Sequence, residues 1–263
     1  MTRPVAGIQA RMGSRRLPGK SLADVAGKPL LRRVYERVSE ARSLARVFVL
    51  TSTHADDDPL AEYCEGAGIP FRRGPLDDVL ARYLALLAET DASYVARVTG
   101  DCPLVSAPWI DRQVEALVEF DADFAFAPDA ESTLAGQSVL SARALRAAAA
   151  SDDPRDREHV GAFLFARRRD RFRTVQVEAA TALRRPDLRL SVDEAADLEF
   201  ARAVFAHFAP RYDSLVPLED VLAFVDANPD VRALNADVVE SEANLAVRRL
   251  SERTAARIVG TWS

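Results

Sequence analysis

Short apolar runs alternate with longer segments of helical period along almost the whole chain, a pattern that predicts an α/β protein built on a mostly parallel sheet. Val5–Ile8, Arg46–Leu50 (RVFVL), Ile69–Phe71, Ser93–Val98 (SYVARV) and Asp123–Ala127 read as strands, being too short for helices and bounded by turn residues. Ser138–Leu140, Phe172–Val177 and Leu188–Val192 read the same way. Between them, Lys28–Ala41 carries Leu31, Val34, Tyr35 and Val38 at helical spacing behind Pro29. Further helices are expected from Asp77-Asp78 onward and over Pro108–Phe120, Ala142–Ala150, Ala195–Phe208, Leu218–Ala227 and about Glu240–Ile258.

Charged and polar residues gather where predicted strands end. After Val5–Ile8 the chain reads QARMGSRRLPGK, with Gly13, Gly19 and Pro18 among four cations, Arg11, Arg15, Arg16 and Lys20. A cationic loop with glycines suits a polyphosphate, because glycine lets backbone N–H groups approach the oxygens while Arg and Lys neutralise charge. A basic surface turn is the plainer alternative. The loop is no Walker A motif: five residues separate Gly13 from Gly19-Lys20-Ser21 where that motif has four, and Pro18 removes a backbone donor. No G-x-G-x-x-G follows the strand, so a dinucleotide site has no support.

Later strand ends add candidates. Thr51-Ser52-Thr53 offers hydroxyls at the edge of an open-sheet crevice, and Asp101, behind Thr99-Gly100, is placed to hold a divalent cation. Asp193 ends the predicted strand Leu188–Val192, as Asp101 ends its own, so two strand-end carboxylates can meet one Mg²⁺. Asp197 fits the first turn of the next helix, where a carboxylate complements the dipole. Asp56-Asp57-Asp58 reads as an acidic helix start, and Asp121-Ala122-Asp123 as a solvated turn rather than a metal-diphosphate device. Arg157, Glu158 and His159 concentrate polar chemistry before an apolar run; Arg157 could grip a carboxylate bidentately and His159 could bind hydroxyls, the alternative being an interface salt bridge.

Composition narrows the partners. A net charge of −5 disfavours nucleic acid or an anionic membrane as main partner, which makes the cationic loop a local feature. No apolar stretch approaches the length of a membrane span, and Cys64 and Cys102 lie far apart with no metal-type spacing, so a cytoplasmic protein with reduced thiols is expected.

Gln9 through Lys20 resemble the nucleotide-binding signature of the cytidylyltransferases that make CMP-activated sugars, the CMP-KDO and CMP-sialate synthetases, and resemble most the SpsF-type branch. Three further segments match that branch in order: Arg73-Gly74 with Asp77-Asp78-Val79-Leu80, Arg97 to Leu104 (RVTGDCPL), and Arg157-Glu158-His159-Val160. The resemblance covers most of residues 3–235. It implies a three-layer nucleotide-diphospho-sugar transferase (Rossmann-like) fold over 1–238, an acceptor and dimerisation insertion at 130–185, and a helical extension at 239–263. It also implies transfer of CMP from CTP to a sugar acid, sugar or polyol, release of pyrophosphate, dependence on Mg²⁺, and a homodimer. Gln9, Ala10, Arg11, Gly13, Ser14, Lys20, Thr51, Arg73, Asp78 and Arg97 would then contact the nucleotide, Asp101 and Asp193 the metal, and Arg157, Glu158 and His159 the acceptor, with Arg11, Lys20 and Asp101 catalytic. Two segments depart from it: Gly136-Gln137-Ser138-Val139-Leu140 lacks the acidic residues usual there, and Glu194-Ala195 replaces Thr-Pro. A glycosyltransferase on the same fold, or a nucleotide-binding subunit with a decayed acceptor site, are the alternatives.

Overall fold

The computed structural model describes residues 3–126, 134, 136–168, 170–239 and 257–261. Most of 130–137, which the sequence reads as a polar loop, and most of the helix expected over 240–258 lie outside these residues, and Gln137 itself opens a strand.

The first half is a regular βα succession. β1 (Val5–Gln9) leads through the cationic loop and a 3-10 turn (Lys20–Leu22) into a small hairpin, β2 (Asp24–Val25) with β3 (Lys28–Pro29), and then α1 (Leu30–Ser39). β4 (Arg46–Ser52), α2 (Asp58–Gly66), β5 (Phe71–Gly74), α3 (Val79–Thr90), β6 (Tyr94–Thr99) and α4 (Ala107–Glu119) follow. The second half adds β7 (Phe124–Phe126), β8 (Gln137–Ser141), α5 (Ala142–Ala148), α6 (Pro154–Glu158), α7 (Ala162–Arg167) and β9 (Thr174–Glu178). It closes with α8 (Ala195–Tyr212), α9 (Leu218–Ala227), α10 (Pro229–Ala233) and β10 (Arg257–Thr261).

The main sheet runs β10-β9-β7-β8-β6-β1-β4-β5. Every neighbouring pair is parallel except those of β8, which is antiparallel to both β6 and β7. Side chains alternate between its faces, and both faces are covered, as a sheet of mostly parallel strands requires. Ala6, Ile8, Val47, Val49, Ala96 and Val98 face a core shared with α1, α4, α8 and α9, whose Leu30, Leu31, Ile110, Val204, Phe205 and Val221 are fully buried. Val5, Phe48, Leu50 and Val95 face the other layer, built from Leu80, Tyr83 and Leu86 of α3 and Ala144, Leu145 and Ala148 of α5.

Two expectations need correction. Leu188–Val192 is not a strand: Leu188, Leu190 and Val192 do alternate into the core, but the Val192 N–H bonds to the Asp101 carbonyl at 2.7 Å, outside any ladder. The expected C-terminal helix ends instead in β10, paired parallel to β9. The region expected as an insertion contributes β8 and β9 to the main sheet, with α5, α6 and α7 between them.

Candidate active site

The cationic loop leaves β1 at the carboxyl edge of the sheet, and its shape comes from short-range bonds. The Met12 carbonyl accepts from the N–H of both Ser14 and Gly19 at 2.9 Å, and Ser21 Oγ donates to the Arg11 carbonyl at 2.9 Å. Gly19 sits at φ 76°, a left-handed conformation in which glycine carries no Cβ penalty. The loop is also held to β4: Asp57, buried, accepts from Met12 N–H at 2.7 Å and from the Ser52 N–H and hydroxyl. Among the described residues no acceptor meets the N–H of Gly13, Arg15 or Arg16, so the loop keeps donors for an anion.

Beneath the loop two distant segments converge on one ammonium group. Lys20 Nζ lies 2.8 Å from Asp101 Oδ2, 3.0 Å from Asp193 Oδ1 and 2.8 Å from the Val192 carbonyl. Asp101 is brought in by Gly100, whose N–H bonds to the Gln9 carbonyl at 2.9 Å; a Cβ there would stand 2.9 Å from Ala10 Cβ and 3.1 Å from that carbonyl oxygen. Burial disfavours the charge on Lys20, but the two carboxylates outweigh it and hold its pKa above the ordinary value. Burial likewise opposes ionisation of Asp101, and Lys20 reverses that, leaving the carboxyl below its usual range.

Asp193 is fixed by an arrangement its own segment does not reveal. Its Oδ2 faces Arg16 at 3.1 Å and Arg189. Fully buried Asp197 accepts the N–H of Asp193 at 2.9 Å and of Glu194 at 3.0 Å, closing a capping box on α8, and also takes Arg189 Nε and Asn235 Nδ2 at 3.0 Å each. Asp197 thus positions Asp193 as well as capping the helix. Among the described residues no group of three or more His, Cys, Asp or Glu could hold a metal ion. Two carboxylates aimed at one cation position are the donor set that a hydrated divalent cation shared with phosphates needs.

A second group lies on the sheet face that carries α3. Gln9, Arg97, Thr99 and Ser138 share this face, with Gly7, Arg97 and Ser138 in one cross-strand row and Gln9 and Thr99 in the next. Tyr83 closes the row at Gly7, donating to its carbonyl at 2.8 Å. His159 follows α6 and sits close enough for Arg97 to act on it: burial first, then the Arg97 charge, lowers its pKa and favours the neutral ring. Glu158 is exposed and reaches toward Arg11 at 4.0 Å. Arg157 clamps α6 to α3, meeting Asp78 at 3.2 Å and the Ala149 carbonyl at 2.9 Å, and Asp78 caps α3 through Ala81 N–H at 2.8 Å. Arg73 is likewise engaged, with the Ser52 and His54 carbonyls and Asp58, while Thr51 is buried with its hydroxyl unpartnered. Asp121 and Asp123 pair with Arg143 and Arg173, so that motif is structural.

The cytidylyltransferase family model matches residues 5–219, which contain the loop, Asp101, Arg97, His159 and Asp193. The chain belongs to the cytidylyltransferase family. It is therefore a nucleotidyltransferase, and the glycosyltransferase alternative falls away. Among its relatives is the spore coat polysaccharide biosynthesis protein SpsF of Bacillus subtilis, 30% identical over 85% of this chain and 94% of that one. A solved cytidylyltransferase from Leptospira borgpetersenii superposes with a TM-score of 0.79 over 92% of this chain and all of that one, at 22% identity. A CMP:2-keto-3-deoxy-manno-octonic acid synthetase solved in complex with CTP gives a TM-score of 0.60 over 78% of this chain and 99% of that one, at 20% identity. At these identities the two structures speak for the fold.

Sequence reasoning missed Asp57, Arg189 and Asn235 as parts of the site, and read Arg16 only as one of the loop's cations. Asp57 was visible only as one of three consecutive aspartates; Arg16 and Asn235 act through partners far away in the chain, and Arg189 pairs locally with Asp193 and Asp197 without a motif to mark it.

Proposed function

We propose that this cytidylyltransferase moves CMP from CTP to a hydroxyl of a small acceptor and releases pyrophosphate. The observation that carries this reading is the convergence of Lys20, Asp101 and Asp193 under a loop with free backbone donors. The family and the CTP-bound structural neighbour support the choice of nucleotide.

In this reading the loop N–H groups of Gly13, Arg15 and Arg16, the Ser14 hydroxyl and Arg11 receive the triphosphate, with Gln9 and Ala10 at the loop entrance. Asp101 and Asp193 would hold a divalent cation, Mg²⁺ by the chemistry of the donor set, which would neutralise phosphate charge and fix the α-phosphate. Lys20, released from the two carboxylates, follows the phosphates and stabilises negative charge as it builds on the leaving pyrophosphate. The acceptor oxygen forms its bond to the α-phosphorus as the bond from that phosphorus to the bridging oxygen breaks. The electron pair leaves on pyrophosphate and the hydroxyl proton goes to solvent. Positioning and charge neutralisation supply most of the acceleration in such transfers.

Calorimetry with CTP, UTP, GTP and ATP in the presence of Mg²⁺, on wild type and Asp101→Ala, tests the reading together with an assay for pyrophosphate. Tight binding of CTP alone and loss of turnover in the variant are expected. Equal binding of all four nucleotides, or full Mg²⁺-dependent turnover by Asp101→Ala, overturns it.

A further inference from the structure

Arg97 stands in the cleft with no counter-ion among the described residues. Among the described residues Arg97 makes no hydrogen bond and no ion pair, and its Nε is buried without a partner. The other inward-facing arginines of the fold hold acceptors: Arg33 has Val25, Ala26, Asp213 and Ser214, Arg37 has three carbonyls, and Arg82, whose Nε is also unpartnered, gives its two terminal nitrogens to the Leu50 and Leu76 carbonyls. A half-buried guanidinium without acceptors is costly unless a ligand supplies them.

The neighbours of Arg97 on the sheet offer it no charged acceptor. In its cross-strand row it stands between Gly7, which has no side chain, and Ser138, which has no charge. Directly opposed residues on adjacent strands lie close enough that a carboxylate at 138 would pair with Arg97. One row on, Gln9 Oε1 is also buried without a partner. An unmet cation and an unmet acceptor on one face match a ligand that offers an anion together with hydroxyl donors. The field of Arg97 also helps keep His159 neutral, so the ring can exchange hydrogen bonds with hydroxyls without adding positive charge.

We propose that Arg97 determines acceptor specificity: left without a counter-ion opposite Ser138, it takes the carboxylate or phosphate of a polyhydroxylated acceptor, whose hydroxyls meet Gln9 and His159. This rests on the transferase reading for its acceptor, and it moves Arg97 from the nucleotide to the other substrate. The test measures binding of gluconate, glycerol 3-phosphate and sorbitol by calorimetry in wild type, Arg97→Gln, Ser138→Asp and Ser138→Asn, and separately measures CTP affinity in the same proteins. Wild type should bind at least one of the two anions at least about tenfold tighter than sorbitol. The preferred anion then tells carboxylate from phosphate. Arg97→Gln should lose that preference, and Ser138→Asp should bind the anion at least about tenfold more weakly than Ser138→Asn, which adds similar bulk without the charge. CTP affinity should stay within about threefold in Arg97→Gln. No preference for either anion in wild type, or equal anion binding by the Asp and Asn variants, overturns the proposal. A tenfold or greater loss of CTP affinity in Arg97→Gln also overturns it, by returning Arg97 to the nucleotide. Failure of wild type to bind CTP would count against the transferase reading alone, since the anion measurements need no nucleotide.

Discussion

Lys20 occupies the place between Asp101 and Asp193 that a divalent cation would take, so it should suppress metal binding until a nucleotide draws it away. Its ammonium makes two charge-assisted hydrogen bonds to carboxylates, at 2.8 and 3.0 Å. A hydrogen bond to a charged group contributes about 1.5–3 kcal/mol net. The released ammonium regains water and the Asp101 side chain is 26% exposed, so the net loss is taken as about one such bond. Competition of that size weakens metal binding by about 10- to 100-fold. Lys20→Met keeps the length of the side chain and removes the charge. It should tighten Mn²⁺ binding in the absence of nucleotide by that factor, measured by electron paramagnetic resonance or calorimetry. Pyrophosphate release from CTP should fall by about 10²-fold or more if, as proposed, the same group serves the phosphates. The variant leaves Arg16 and Arg189 on Asp193, so the local fold keeps two of its cations. Mn²⁺ should accordingly raise Tm more in the variant than in wild type. Unchanged or weaker Mn²⁺ binding by a folded Lys20→Met would refute the competition and, with it, the placing of the metal between these two aspartates.

Three other perturbations probe the supports of the site. Asp57→Ala removes the acceptor that holds Met12 N–H and Ser52, and should cost about 1–3 kcal/mol in denaturant unfolding while raising KM for CTP, with acceptor KM little changed. Gly136→Ala forces a Cβ to within 2.2 Å of Cys102 Sγ and 2.4 Å of Thr99 Oγ1 at φ 71°, so Tm should drop by several degrees and the Asp101 turn should shift, which metal titration would read. The stability difference between wild type and Lys20→Met should follow both titrations. The raised pKa of Lys20 makes its contribution fully present below 10.5 and lost as pH climbs past its elevated value; the lowered pKa of Asp101 makes the partner's contribution present above 3.8 and lost as pH falls toward its depressed value. Tm measured across this range should show a plateau with both ends narrowing, and a difference independent of pH would refute the ion pairing.

The elements were legible where one local signal decided them. RVFVL and SYVARV are buried strands because a sheet covered on both faces leaves no polar side to show. Leu218–Ala227 falls within its expected bounds because Pro217 and the spacing of Leu218, Val221, Leu222 and Val225 agree. Leu188–Val192 misled for the same reason: alternation records which side chains are buried, and says nothing of whether a neighbouring strand exists to pair with the backbone. The reversal of β8 was equally invisible, since a strand reads the same in either direction.

The site divides along that line. Its backbone pieces, the loop glycines and the strand-end aspartates, can be read locally, because each answers to a turn or a strand end. Its charge balance is only partly local: Arg189 meets Asp193 from four residues away, but Lys20 is neutralised from the turn after β6 and the approach to α8, and Asp193 also by Arg16 from the first loop. The pairing of Arg157 with Asp78 and the isolation of Arg97 follow from the same cause. Two arginines, both candidates by composition, end in opposite states because α3 presents a carboxylate to one while β8 presents a serine to the other. An unpaired charge in a cleft is a difference between what the sheet register brings together and what the residue types could have offered. It therefore becomes visible only once the register is known, and there it points to what the ligand must supply.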